Sequence, residues 1–202
     1  MRDRRAHIID AATSLILRSG FQQTSVDDVI REAGLCGKGH FYHYFKSKEE
    51  LGFAVLERQF GRFAEEGLVL LRDPLRDPLE RLNGFIDAVV ATHAEQRAEG
   101  GCPFGNLGAE MADANEGFRI RIATVFDRWA EQIQALLWEV RPRLVADADT
   151  ARLSRFIIAT LEGALLMSKV QREREDLEGI AEDLKRFVAM HVREDVPRLS
   201  GD

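Results

Sequence analysis

The sequence predicts an all-α protein, with a three-helix head built on a helix-turn-helix and a body of about six further helices. Three observations predict it. Apolar residues recur at i, i+3, i+4 and i+7 along nearly the whole chain. No segment shows the apolar–polar alternation of a half-buried strand. Helix breakers (Gly20, Gly34, Asp73-Pro74, Asp77-Pro78 and Pro142) fall between the periodic stretches.

The elements follow in order. Residues 4–19 place Ile8, Ala12, Leu15 and Ile16 on one face; Gly20 ends this helix and Phe21 packs back. From about Ser25 to Ala33, Val26, Val29, Ile30 and Ala33 share a face, and Thr24 or Ser25 has an acid three residues on to complete a capping box. Gly34 supplies the turn, where a positive φ costs no side-chain clash. A short helix from about Gly37 to Tyr44 follows. Ser47 and Glu50 make a second capping box, opening a long helix from Lys48 to near Arg72, with Phe53, Leu56, Phe60 and Phe63 on one side. Periodic stretches then run over 78–98, 106–112, 116–141, 149–173 and 176–193, and 156–167 is apolar almost all round.

A helix, a glycine-bearing turn and a second short helix form a motif whose second helix enters the DNA major groove. The residues there suit that task. Lys38, His40, Tyr42, His43, Tyr44, Lys46 and Lys48 lie within eleven positions. Lysines neutralise phosphate, and Tyr and His groups bond phosphate oxygens or base edges. Gly37 and Gly39 allow close backbone approach. The plainer reading is a solvated polar helix with Phe41 and Phe45 inward, and the two are compatible.

The net charge of −6 divides unevenly. Residues 1–48 hold eight Lys or Arg against five Asp or Glu, a net +3, so the remainder carries −9. A basic head on an acidic body concentrates attraction for phosphate at one end. Arg2, Arg4 and Arg5 are read either as an arm near DNA or as a frayed terminus. No run of about 18 apolar residues appears, so no membrane span is expected. The N-terminal stretch is too polar for a signal peptide. Two cysteines, Cys36 and Cys102, make no disulfide framework, so a reducing cytoplasm is the expected setting.

From Gly20 to Leu51 the pattern G-F-x-x-T-S-V-x-D-V-I-x-x-A-G, then K-G-x-F-Y-x-Y-F-x-S-K-E-E-L, closely resembles the tetracycline-repressor (TetR) family of bacterial transcription regulators. The resemblance implies a homodimer with a DNA-binding domain at 1–47 and a ligand-binding and dimerisation domain at 48–202. It also implies a double-stranded DNA operator, released when a small-molecule or electrophile inducer binds. The DNA contacts it implies are Thr24, Lys38, Gly39, His40, Tyr42, His43, Tyr44 and Lys48, with Tyr42, Tyr44 and Lys48 on phosphate. Cys36 stands where members often have a capping Ser, and is read as a substitute cap. His40 replaces a common Thr or Ser. The stretches Gly100–Glu110 and Leu161–Lys169 resemble a branch with electrophile-responsive repressors, in which Cys102 and Lys169 match a reactive pair.

Each assignment has a plainer counterpart. Cys102, just ahead of a short helix, is either a sensor thiol, with Lys169 favouring thiolate, or a buried inert Cys. His93 is a satisfied core histidine or a pocket group. Phe104, Phe126, Trp129 and Met167 line an inducer pocket or are ordinary core. Ala159, Gly163 and Ala164 permit close helix approach, and with Leu184 and Phe187 they mark the expected dimer surface. Two other functions compete: an enzyme with Cys102 as nucleophile, and a helical adaptor that binds no DNA. No cofactor or metal is expected.

Overall fold

The computed structural model describes residues 3–95 and 101–193. Arg2 of the expected arm and Gly100 of the second motif lie outside the described residues. Among the described residues there are nine α-helices, and the chain divides into two compact units.

The first unit comprises 1–62 and 103–123. It holds α1 (Arg4–Ser19), α2 (Val26–Glu32), α3 (Lys38–Tyr44), most of α4 (Lys48–Glu66), α6 (Pro103–Met111) and the start of α7 (Glu116–Glu139). The cap of α2 is the one expected from local sequence: Ser25 Oγ accepts the Asp28 N–H while the Asp28 carboxylate accepts the Ser25 N–H, a full capping box. Gly34 has φ 58, the left-handed turn expected there.

The core of this unit is Ile8, Ala12, Val29, Phe41, Phe45, Leu51 and Val55, all buried. Three rings extend it: Phe118 lies 4.9 Å from Phe21 and 4.7 Å from Phe53, centroid to centroid. Gly52 makes that contact possible, since a Cβ there would lie 2.5 Å from the Phe21 ring and 2.6 Å from the Phe118 ring. Each buried Phe contributes about 1.5–3 kcal/mol by the area it removes from water.

The second unit comprises 63–102 and 124–202. Its helices are α5 (Pro78–Glu95), the rest of α7, α8 (Thr150–Gln171) and α9 (Glu175–Met190). Leu82, Phe85, Ile86, Trp129, Ile133, Leu137, Ile157 and Leu161 form its interior. Phe63 and Phe85 meet Trp129 edge-on at 5.2 and 5.9 Å, a favoured aromatic geometry. An ion pair joins the partly buried Asp77, just before α5, to the buried Arg143, between α7 and α8.

Two expectations about elements are corrected. The long fourth helix stops at Glu66 rather than near Arg72. After Gly67 the chain tightens into a 3₁₀ turn, Leu68–Arg72, whose three-residue repeat buries both Leu68 and Leu71. Cys36 is not the cap of α3. The N-cap residue is Gly37, at φ 144, without a side-chain hydrogen bond, and Cys36 is exposed beyond it.

Candidate functional site

The short helix α3 presents two different sides. Phe41, and Phe45 just past its end, are buried, so the helix is anchored. Lys38, Gly39, Tyr42 and His43 are exposed, and His40, Tyr44 and Lys48 are partly so. A Cβ at Gly39 would meet nothing within 4 Å, so no internal contact demands glycine there. The Tyr44 ring lies between two histidines, 4.9 Å from His43 and 5.9 Å from His40.

The charges on this face are lightly held. Lys38 Nζ meets Asp27 at 3.2 Å, both more than 60% exposed, and such a pair contributes only about 0–1 kcal/mol. Lys48 Nζ donates to the Gln22 carbonyl at 3.1 Å and sits 4.6 Å above the Phe21 ring. Thr24 differs from the rest. It is buried, and its hydroxyl donates to the Gly20 carbonyl at 2.7 Å. Its side chain therefore fixes the turn into α2 instead of facing outward. Arg4 and Arg5 fall in the first turn of α1, and the Arg5 guanidinium lies 4.9 Å over the Phe45 ring.

The residues expected to line a pocket belong to both units. Phe104 belongs to the first unit, where its ring meets Phe60 at 6.4 Å. Phe126 and Trp129 stack in the second unit at 6.2 Å. Met167 is nearly half exposed, beside Leu166 and Val170. His93 is buried, and burial pulls its imidazole below the ordinary value. Its Nε2 lies 3.2 Å from Ser168 Oγ, and that hydroxyl donates to the Glu173 carbonyl. The Ser168 proton is thus committed, so the neutral ring donates from Nε2 and keeps Nδ1 as an acceptor. Among the described residues that Nδ1 is buried with no partner, and so is the Trp129 Nε1 donor. A cleft of about 350 Å³ beside Arg81 and Glu139 is lined by none of the five.

Cys102 is partly buried and packs on the cluster of Ala164, Leu165 and Leu177. Its thiol bonds the carboxyl of Glu162, whose value burial pushes up and that bond pulls part of the way back. Glu162 was missed by sequence reasoning. The available signal was a single acid within the apolar run 156–167.

The expected dimer residues split. Ala159 and Gly163 are exposed, and Phe187 is partly exposed with its ring 4.6 Å from Phe156. Ala164 and Leu184 are buried inside the second unit and are core residues. The outward stripe is instead completed by Phe156, Leu166, Met167, Val170 and Met190, each more than 40% exposed. A Cβ at Gly163 would meet nothing within 4 Å.

Residues 8–55 match the model for bacterial regulatory proteins of the tetR family. Residues 78–183 match that for the C-terminal domain of LmrA/YxaF-like transcriptional regulators. The HTH-type transcriptional repressor DhaR of Mycobacterium sp. (strain GP1) is 30% identical over 86% of this chain and 86% of its own. Among solved structures, a TetR transcriptional regulator from Chloroflexus aurantiacus J-10-FL superposes with TM-score 0.84 at 28% identity, covering 94% of this chain and 96% of that one. The reduced form of Escherichia coli NemR gives TM-score 0.80 at 25% identity, over 91% and 96%.

Proposed function

The chain belongs to the TetR family of bacterial regulatory proteins, and from that premise we propose that it is a repressor whose α3 reads a near-palindromic DNA operator. The observation that carries this is the two-sided α3, with Phe41 buried and Lys38, Gly39, Tyr42 and His43 exposed. DhaR and NemR are named as repressors, which supports the sign of regulation. In this reading residues 1–47 bind DNA and 48–202 bind the inducer and dimerise. Lys38, Gly39, His40 and His43 face base edges, Tyr42, Tyr44 and Lys48 hold phosphates, and Thr24 sets the turn.

The exposed stripe on α8 and α9 is the proposed homodimer surface. Two heads about a two-fold axis then meet half-sites one or more DNA turns apart, roughly 34–36 Å or its multiples. An inducer, small molecule or electrophile, acts on the C-terminal domain, with α4 as the route to the head. Cys102 is the group an electrophile would modify, and Lys169 on α8 is the ammonium assigned to it. A coupling of about 1–3 kcal/mol is enough to release the operator. The family of regulators gives no support to the enzyme reading, and an adaptor reading leaves the exposed basic face unexplained. No described helix is long and apolar enough to cross a membrane.

The test is selection of bound duplexes from a random pool by the purified protein. Enrichment of a two-fold symmetric site is expected. A pool that stays random at low salt would remove the proposal.

A further inference from the structure

A cleft of about 350 Å³ opens beside the 3₁₀ turn Leu68–Arg72, against α5 and α7. That volume falls at the small end of the range for ligand sites, about 300–1,000 Å³. Its walls belong to the second unit, and neither Cys102 nor any residue assigned to an inducer pocket is among them. Leu71, Pro74 and Leu136 give it apolar surface. Gln132, Leu136 and Glu139 reach it from α7 at i, i+4 and i+7, one face of that helix.

The polar groups of the cleft are unevenly matched. Two guanidiniums, Arg72 and Arg81, stand against one carboxylate, Glu139, so one positive charge is in excess. Arg81 is 5% exposed and takes that carboxylate with both terminal nitrogens; one of them also donates to the Leu71 carbonyl at 2.9 Å. Even so, its Nε–H is buried and, among the described residues, has no acceptor. In native structures such an orphan marks a missing water or ligand. Arg72 is the charge left over. It is exposed, and its Nε donates to Gln132 Oε1 at 2.9 Å. Among the described residues its two terminal nitrogens meet no acceptor, and neither does the Gln132 amide N–H₂. The acceptors of the cleft are thus engaged, Glu139 and the Leu71 carbonyl by Arg81 and Gln132 Oε1 by Arg72, while donors remain.

We propose that this cleft binds a small monocarboxylic acid with an apolar body. Arg72 and the Gln132 amide N–H₂ take the carboxylate oxygens, and Leu71, Pro74 and Leu136 cover the hydrocarbon. The single excess charge selects a monoanion. A cationic ligand is repelled by Arg72 and finds Glu139 already neutralised by Arg81. The bond to Gln132 fixes the plane of the Arg72 guanidinium, so its fork is set in advance for a carboxylate.

Isothermal titration of the full-length protein with sodium benzoate at pH 7 is the test. Saturable binding with a Kd of about 1 mM or tighter is expected. Benzamide has the same shape without the charge and should bind at least about tenfold more weakly, because charge-assisted hydrogen bonds are about twice as strong as neutral ones. Arg72→Gln should weaken benzoate binding at least about tenfold, and its exposed side chain makes the substitution harmless to the fold. Ala135→Phe fills the cleft from an exposed position on α7 and should abolish binding. Should neither variant fold, the benzamide comparison decides. No saturable benzoate binding, equal affinity for benzoate and benzamide, or unchanged benzoate affinity in either folded variant overturns the proposal. So does tighter binding of benzylamine or of inorganic phosphate, which would mark a site for cations or for bare anions. The cleft is independent of Cys102 and of the operator, so its failure leaves the proposed function standing.

Discussion

The carboxylate of Glu110, on α6, accepts the backbone N–H of Gln22 at 2.6 Å, across 88 residues of chain. Its other oxygen accepts the N–H of Phe21 at 2.8 Å, and the Gln22 side-chain amide returns a bond to the Glu110 carbonyl at 3.2 Å. The turn between α1 and α2 thus has its open donors satisfied by a helix far away in sequence. Lys48 holds the Gln22 carbonyl from the head's own side. The first unit includes α6 for this physical reason, and its boundary does not follow chain order.

Glu110→Ala should therefore destabilise the protein by about 2–3 kcal/mol, the range for losing hydrogen bonds to a charged acceptor. For a chain of this size that lowers Tm by about 4–12 °C. A thermal melt followed by circular dichroism checks it. An unchanged Tm would mean that water replaces the carboxylate at no cost.

Asp77 gives a prediction with a definite sign. Burial pushes its carboxyl up, but the Arg143 guanidinium and the N–H groups of Leu79 and Glu80 outweigh burial and hold it below the ordinary carboxylate value. A folded value below the unfolded one means that the unfolded chain binds the proton more tightly. The pair's contribution is thus complete above the unfolded value, near pH ~3.9, and is lost as pH falls through the folded one. Asp77→Asn leaves the Arg143 side chain, 6% exposed, as a buried charge without its carboxylate. The loss should be about 3–5 kcal/mol at pH 7 and smaller in acid. Urea titrations at pH 7 and pH 3 test this, and an equal loss at both would contradict it.

The helices were legible because their signals are local. The Ser25–Asp28 capping box, the Gly34 turn and the i, i+3, i+4 stripes each need only a few neighbouring residues. What stayed hidden depends on distant partners. Nothing near Glu110 announces that Phe21 and Gln22 need it, and nothing near Cys102 announces Glu162. The small residues of α8 show a third limit. In a helix apolar almost all round, Ala164 and Gly163 look alike, yet one faces the interior and the other the surface. Only the packing of α9 against α8 decides which.

On α3 and the start of α4, two of the three proposed phosphate ligands should separate by salt dependence. Lys48→Ala removes one cation, and the slope of log affinity against log salt should fall by about 0.9. Tyr42→Phe removes one hydroxyl, costs about 1 kcal/mol and leaves that slope unchanged. Fluorescence anisotropy on an operator duplex at several salt concentrations measures both. If Lys48→Ala keeps the full slope, its ammonium is not on phosphate, and its role is confined to the Gln22 carbonyl and the Phe21 ring.

The stripe on α8 and α9 makes the sharpest contrast between surface and core. Phe156 and Phe187 form an exposed ring pair, with Leu166, Met167 and Val170 along the same helix as Phe156. An apolar surface of this extent calls for a partner, and Gly163 lies on it with open space above its Cα. Gly163→Leu should therefore leave the folded monomer intact, since a Cβ there meets nothing within 4 Å, yet block close approach of a second helix. Phe156→Glu should act similarly by placing a charge in the contact. Leu184→Ala should behave in the opposite way. It empties a buried site, costing about 2–5 kcal/mol of fold stability before it affects association. Sedimentation velocity at micromolar concentration, paired with thermal melts, tells these apart. Dimeric Gly163→Leu and Phe156→Glu proteins with unchanged operator affinity would move the interface elsewhere on the molecule.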